Sequence, residues 1–207
     1  MRTLLAGVLA ALHLLAQTET PTHGIPPRAA ATDYQVRAQA GPFTLAAEFL
    51  GHSIPSDPNS IVSEEYVVVE AALFGPAGAK TTLNTSDFAL RINGRKQLIP
   101  AAHFGLTFQS LKDPEWGPTE SEKQKSKTSV GGSGGGQNDP PPPPPKMPIA
   151  LRRAMEQRVQ KAAFPEGERP LPQAGLLFFQ YRGKTDGINA VELHYTGKDG
   201  KAKLTLQ

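Results

Sequence analysis

The sequence predicts an all-β fold, a β-sandwich of seven to eight short strands that one long insertion interrupts. Short segments alternate between apolar and polar residues with the period of two that half-buried strands show. Turn residues separate these segments at short intervals, as is typical of sandwiches. The third observation is a stretch without apolar periodicity that is rich in glycine and proline. The whole 207-residue chain contains 20 glycines and 20 prolines. A hydrophobic content of 38% suffices for one modest core.

Residues 1–16 predict a secretory signal peptide. Arg2 supplies a short positive region, and an apolar run from Leu4 to Ala16 follows, interrupted only by His13. The run falls short of the about 20 residues that a helix needs to span a bilayer core, but it fits the apolar region of a signal peptide. We therefore expect cleavage near Ala16 and a periplasmic or secreted protein. The alternative interpretation is a buried N-terminal helix.

The charge balance and the cysteine content limit which partners and which chemical sites we expect. The chain has 22 basic and 19 acidic residues, a net charge of +3, and this near-balance predicts no nucleic-acid partner. It has no cysteine, so we expect no disulfides, no lipid anchor, no thiol nucleophile, and no zinc-finger or iron–sulfur site.

The first block of strands is predicted over residues 33–111, after a flexible lead-in at residues 17–32 that carries three prolines. The strongest strand signal is EEYVVVEAALFG, which is dense in β-branched and aromatic residues. If Glu70 points to water, the alternate side chains on this strand face the core. These are Val67, Val69, Ala71 and Leu73.

A hairpin is predicted in SDFALRINGRKQLIP. Phe88, Leu90 and Ile92 alternate with more polar residues, and Asn93-Gly94 supplies the pair with positive φ that a tight turn needs. We expect the strand RKQLI to return immediately after this turn.

Residues 112–146 form the insertion, predicted to be disordered or to adopt the polyproline II conformation. Its six consecutive prolines would form a rod of roughly 19 Å at ~3.1 Å per residue. A basic helix is predicted over residues 147–164, because Leu151, Met155 and Val159 recur four residues apart. Covering an edge of the sandwich is the expected role of this helix.

A second block of strands is predicted over residues 168–207, with a turn at Lys198-Asp199-Gly200. A unit of about 40 residues rarely folds alone without disulfides or metal. We therefore expect residues 33–111 and 168–207 to form one domain, with the insertion as a loop that bulges from it.

These segments resemble a family of bacterial exported immunoglobulin-like domains, a family of unknown function sometimes mislabelled as telomeric repeat-binding factor. The resemblance covers roughly residues 33–106 and 171–206. Its most specific part is Ser86-Asp87-Phe88-x-Leu90 followed by Asn93-Gly94. It implies an immunoglobulin-like β-sandwich outside the cytoplasm, with no catalytic residues to carry over. The chain departs from the family in lacking the lipobox cysteine of many members and in carrying the long insertion.

We predict no catalytic, cofactor or metal site. The histidines stand singly without metal-ligand spacing, and His194 is expected to face solvent. GGSGG at residues 131–135 matches a hydrolase pattern by chance, because it lies in a glycine tract. A weak calcium site at Asp57, Glu64 and Glu65 is an alternative to a solvated loop.

The predicted function is a non-enzymatic module of the cell envelope that binds an unknown protein partner or has a structural role. One alternative is a hydrolase or ligand-binding enzyme assembled from His52, Asp57, Glu65 and His103. Another is contact with a membrane surface through the basic helix. The possible interaction residues are Arg152, Arg153, Arg158, Lys161, Pro140, Pro145 and Trp116.

Overall fold

The structure is a computed structural model, and it describes residues 23–57, 59–113 and 147–207. Within these ranges the chain forms thirteen strands and one α-helix. The helix, α1, spans Ile149–Ala162. The strands are β1 Val36–Ala40, β2 Phe43–Phe49, β3 Ser53–Ile54, β4 Ile61–Ser63, β5 Tyr66–Phe74, β6 Lys80–Leu83, β7 Phe88–Ile92, β8 Ile99–Ala102, β9 Leu111–Lys112, β10 Gly167–Pro170, β11 Gln173–Gln180, β12 Val191–Gly197 and β13 Gly200–Thr205.

Eight strands form one antiparallel sheet in the order β1-β2-β5-β11-β8-β7-β12-β13. The sheet folds back on itself, so that β1 lies beside β13. At this closure the turns meet closely: a Cβ placed on Gly200 would lie 2.4 Å from the backbone of Ala40. Five shorter strands form two small sheets, β3-β4-β9 and β6-β10. The all-β class is therefore confirmed, although the described residues hold thirteen strands, more than the seven to eight predicted for the whole sandwich.

The main core lies between the two halves of the folded sheet. Val67, Val69, Ala71 and Leu73 of β5 are at most 1% exposed and point into it, as the alternation predicts. The inward residues of β7 and β12 meet them from the other half. Strands from both sides of the insertion share this sheet, because β11 pairs with β5 and β8, and β12 pairs with β7.

A second hydrophobic cluster lies on the outer face of β5 and β11. Met155 and Val159 of α1 are buried there with Val68, Leu176 and Phe178. The predicted apolar stripe of the helix is thus confirmed, with Leu151 partly buried at its margin. No helix in the described part of the chain has the length and apolar character needed to cross a bilayer.

The chain that follows α1 covers an edge of β11. β8 pairs with β11 only at Phe178 and Phe179. Beyond that point, the backbone N–H of Phe164 donates to the carbonyl of Leu176 at 2.9 Å, and that of Ile25 donates to the carbonyl of Ala174 at 3.0 Å. The expectation that the helix covers an edge is therefore wrong: α1 covers a face of the sheet, and the edge is covered by Phe164 after the helix and by Ile25 from the N-terminal segment.

The described part of the predicted flexible lead-in, residues 23–32, packs on the sheet instead. Cross-strand register places Ala46, Ala72 and Ala174 side by side on the outer face. These small side chains let Ile25 and the residues that follow approach closely, and Tyr34 is buried against them. The proline content of the lead-in thus reflects an extended covering segment in this range.

The expectation that Glu70 points to water is wrong. Glu70 is 7% exposed and lies directly opposite Glu48 on the neighbouring strand. Arg28 bridges the two carboxylates, with 2.9 Å from its guanidinium to Glu70, and its guanidinium carbon lies 4.4 Å from the ring centre of Tyr34. The two carboxylates would otherwise repel each other across the strands.

The predicted Asn93-Gly94 turn is present, with φ of 52° and 64°, but the immediate return of the strand is wrong. The partner of Leu90 is Ile99, so the return strand starts five residues after Gly94. The reason is non-local. The Asn93 side chain donates to the carbonyl of Gly187 and accepts from the backbone of Asn189, both at 2.7 Å.

Candidate functional site

The outward side of α1 is a basic surface, defined here as the basic face: Arg152, Arg153, Arg158 and Lys161. Arg153 and Lys161 are exposed, and Arg158 is half-buried. Arg152 is exposed and makes an ion pair with Glu156 one turn later, at 3.2 Å. The structure thus brings the four predicted basic residues together on one element.

The basic face accounts for the net charge of the chain. Its four cations and the single acidic residue of the helix, Glu156, give α1 a charge of +3, which equals the net charge of the whole sequence. The remaining residues therefore sum to zero. The other predicted interaction residues, Trp116, Pro140 and Pro145, lie outside the described residues.

A cleft of about 210 Å³ opens beside the basic helix, where β8 and β11 diverge. Its floor is apolar, formed by Leu176 and Phe178 of β11 and by Phe164. These three side chains are at most 2% exposed. The floor of the cleft is therefore held in place by the core of the protein.

Polar side chains stand at the rim of this cleft. The carboxylate of Glu166 accepts hydrogen bonds from the backbone N–H and the hydroxyl of Thr85. Arg169 donates from Nε to the backbone carbonyl of Glu166 at 3.2 Å. Asn84 holds Thr85 in place, since its side chain accepts from the N–H of Ser86 at 3.0 Å and so caps the turn.

Two histidines complete the rim. His103 caps the 3₁₀ helix Phe104–Ser110, because its Nδ1 accepts from the N–H of Gly105 at 3.1 Å. The Phe104 ring lies between the two imidazoles, 4.1 Å from His103 and 5.2 Å from His23 between ring centres. The rim thus combines aromatic and hydrogen-bonding groups.

His52, another candidate of the alternative enzyme hypothesis, lies at a different place. It belongs to a shallow depression with Phe49 and Thr185, whereas His103 belongs to the cleft. Its Nδ1 lies 2.8 Å from the carbonyl of Ser63 and 2.9 Å from that of Tyr66, and its Nε2 lies 2.8 Å from that of Gly183. His52 therefore ties three segments of backbone together.

Of the three loop carboxylates considered for calcium, Asp57 is exposed, and Glu64 and Glu65 are engaged with cations. Glu64 pairs with Lys112, and Glu65 pairs with Arg182 at 3.2 Å. Within the described residues, no group of three histidine, aspartate or glutamate side chains is placed to hold a metal ion. His194 is half-buried and lies 3.3 Å from Glu192. The pKa of Glu192 is lowered, chiefly by its hydrogen bond from Lys203.

Sequence reasoning missed the cleft and the Arg28 bridge. The cleft is assembled from five separate segments, and its residues share no spacing motif. Burial opposes the charge of Arg28, but hydrogen bonds and charges from Glu70 and Glu48 outweigh this and raise its pKa. Two glutamates at strand positions that face one side of a sheet are the signal that would have pointed to a bridging cation.

Comparison of the chain with protein-family models, with curated proteins and with solved structures gives no match.

Proposed function

We propose that the protein is an exported, non-enzymatic β-sandwich module of the cell envelope that binds an acidic protein partner through its basic face. The observation that carries the proposal is the difference between the two sides of α1. Its apolar residues Met155 and Val159 are buried on the sheet, while Arg153 and Lys161 on the other side are exposed. Export is supported by the apolar N-terminal run and by the resemblance of SDFALRING to exported domains.

Charge complementarity identifies the class of partner. A surface that concentrates three net positive charges on one helix attracts an acidic surface and accelerates its encounter. Arginine also favours carboxylates, because its planar fork donates two parallel hydrogen bonds to one carboxylate. Exposed pairs of this kind weaken as salt rises, so binding is expected to depend strongly on ionic strength.

Membrane contact is the second candidate. An interfacial helix binds by inserting an apolar face into the bilayer. In α1 that face is the one that packs on β5 and β11. The basic face alone would supply only electrostatic attraction, so an acidic protein surface is the better fit.

The test is a binding titration of the mature chain, from Gln17, with poly-L-glutamate at low ionic strength. The variant replaces the basic face by glutamine at Arg152, Arg153, Arg158 and Lys161. A matched control removes four exposed cations elsewhere: Arg95→Gln, Lys96→Gln, Lys198→Gln and Lys201→Gln.

We expect the native chain and the control to bind poly-L-glutamate, and the basic-face variant to bind at least tenfold more weakly. Equal weakening in both variants would mean that net charge, not this surface, governs binding, and would contradict the proposal. Vesicles with anionic lipid are titrated in parallel. Tighter binding to vesicles than to the polymer would favour the membrane alternative.

A further inference from the structure

We propose that the cleft between β8 and the segment after α1 binds a small organic carboxylate with an apolar body. This site is separate from the basic face and does not depend on the function proposed above. Four features carry the inference: the apolar floor, the position of Arg169, the engagement of Glu166, and the remaining nitrogen of His103.

The floor sets the apolar part of the ligand. Leu176, Phe178 and Phe164 are fixed by the core on their far side, and Phe164 also packs edge-on against Phe88 with 5.1 Å between ring centres. The floor is therefore preformed. The volume of the cleft is about 210 Å³. It lies below the about 300–1,000 Å³ of pockets for drug-sized ligands, so a single ring with a short chain is the appropriate size.

Arg169 sets the charge of the ligand. Its Nε is held by the backbone carbonyl of Glu166, and its guanidinium makes no ion pair within the described residues. Arg169 is half-buried and lines the apolar cleft. A carboxylate that accepts two parallel hydrogen bonds is the partner that matches its geometry.

Glu168 directly precedes Arg169, but neighbouring side chains of strand β10 point to opposite faces. Glu166, which lines the cleft together with Arg169, does not fill this role either. Its carboxylate is turned to Thr85, from which it accepts hydrogen bonds from both the backbone and the hydroxyl. The Glu166 carboxylate is thus hydrogen-bonded to Thr85 and forms no ion pair with Arg169, which leaves the cation available to a ligand.

His103 supplies a further hydrogen-bonding group. Since its Nδ1 accepts from Gly105, the neutral ring carries its proton on Nε2, which is then a donor. A donor on the rim, beside a guanidinium, favours an acceptor group in the ligand. An amine would meet these two donors, and the carboxylate that lines the cleft, that of Glu166, already accepts from Thr85 through Oε1. The cleft should therefore favour an acid over an amine of the same shape.

The probes are 3-phenylpropanoate, 3-phenylpropylamine and 3-phenylpropan-1-ol, titrated into the full mature chain and followed by amide chemical shifts. We expect saturable binding of the acid at millimolar concentration, with shifts around residues 102–104 and 164–178, and at least tenfold weaker binding of the amine. Absence of saturable binding of the acid, or equal binding of acid and amine, would overturn the proposal.

The variants separate the cleft from the rest of the surface. Arg169→Gln should weaken binding of the acid at least tenfold, while Arg152→Gln on the basic face should leave it unchanged. Ala102→Leu, which adds volume to the cleft wall, should reduce binding of all three probes, and thermal melting checks that this variant is folded. Unchanged binding of the acid by folded Arg169→Gln would sink the assignment.

Discussion

At the scale of single residues, Arg28 connects the N-terminal segment to the sheet. Its guanidinium is the cation between Glu48 and Glu70, and the second of these carboxylates is buried. Removing one partner of a buried pair leaves an uncompensated charge in a low-dielectric environment. Arg28 is therefore a residue outside the main core whose loss should destabilise the fold.

Arg28→Ala is predicted to lower the free energy of unfolding by about 3 kcal/mol, measured by urea denaturation. The loss arises because Glu48 and Glu70 would then face each other unpaired. Adding Glu70→Gln to this variant should restore part of the stability, since one of the two charges is removed. A loss within about 0.5 kcal/mol, as for an ordinary surface position, would show that the bridge contributes little.

Asp87→Asn is predicted to stabilise the protein at neutral pH. Burial raises the pKa of Asp87 above its ordinary value near 3.8, so the folded state holds this proton more tightly than the unfolded chain does. When Asp87 is ionised, folding carries the cost of partly burying its charge, and asparagine removes this cost. The gain in melting temperature should disappear as pH falls below 3.8, where both states are protonated. A gain that is independent of pH would contradict this explanation.

At the scale of elements, α1 is held by its buried stripe and not by its own propensity alone. Met155 is 1% exposed, whereas Ile149 on the same helix is 70% exposed. Met155→Ala is predicted to cost about 3 kcal/mol of unfolding free energy, because it leaves a cavity between helix and sheet. Ile149→Ala is the matched control and should change stability by less than about 0.5 kcal/mol. Equal losses in chemical denaturation would show that the burial is not what holds the helix.

The pairing of residue 164 with β11 depends on Gly175. A Cβ at this position would lie 2.4 Å from Cα of Phe164, a separation that forces the two backbones apart. Gly175→Ala is predicted to destabilise the protein by about 1–3 kcal/mol and to weaken protection of the Phe164 amide in hydrogen exchange. Unchanged protection of that amide would contradict the close approach of the two segments.

At the scale of the whole molecule, local patterns predicted the class and the inward faces, and non-local contacts determined the rest. In β5 every residue from Tyr66 to Leu73 is buried. Its inward face was identified from the single charged residue, Glu70, because side chains of a strand point to opposite faces whatever its neighbours are. The two-residue strands β3 and β9 have no such period to detect. The late return to β8 depends on Asn93 and residues almost a hundred positions later.

The basic face and the cleft also differ in how far the sequence predicts them. The basic face was predictable, because its residues all lie on one helix whose apolar stripe recurs every four residues. The cleft was not, because His23, Thr85, His103 and Arg169 become neighbours only when β8 and β11 diverge. A site assembled from separate segments leaves no spacing in the sequence, and only the fold brings its members together.

The most direct test of the basic face as the binding surface is site-specific photo-crosslinking in cells that export the protein. The crosslinking residue replaces Gln157, which is exposed on α1 four residues from both Arg153 and Lys161. The control position is Gln97, exposed in the loop before β8. We predict that Gln157 captures an acidic envelope protein that Gln97 does not, and that neutralising Arg153 and Lys161 abolishes the product. The same product at both positions, or none at Gln157, would contradict the assignment of the basic face.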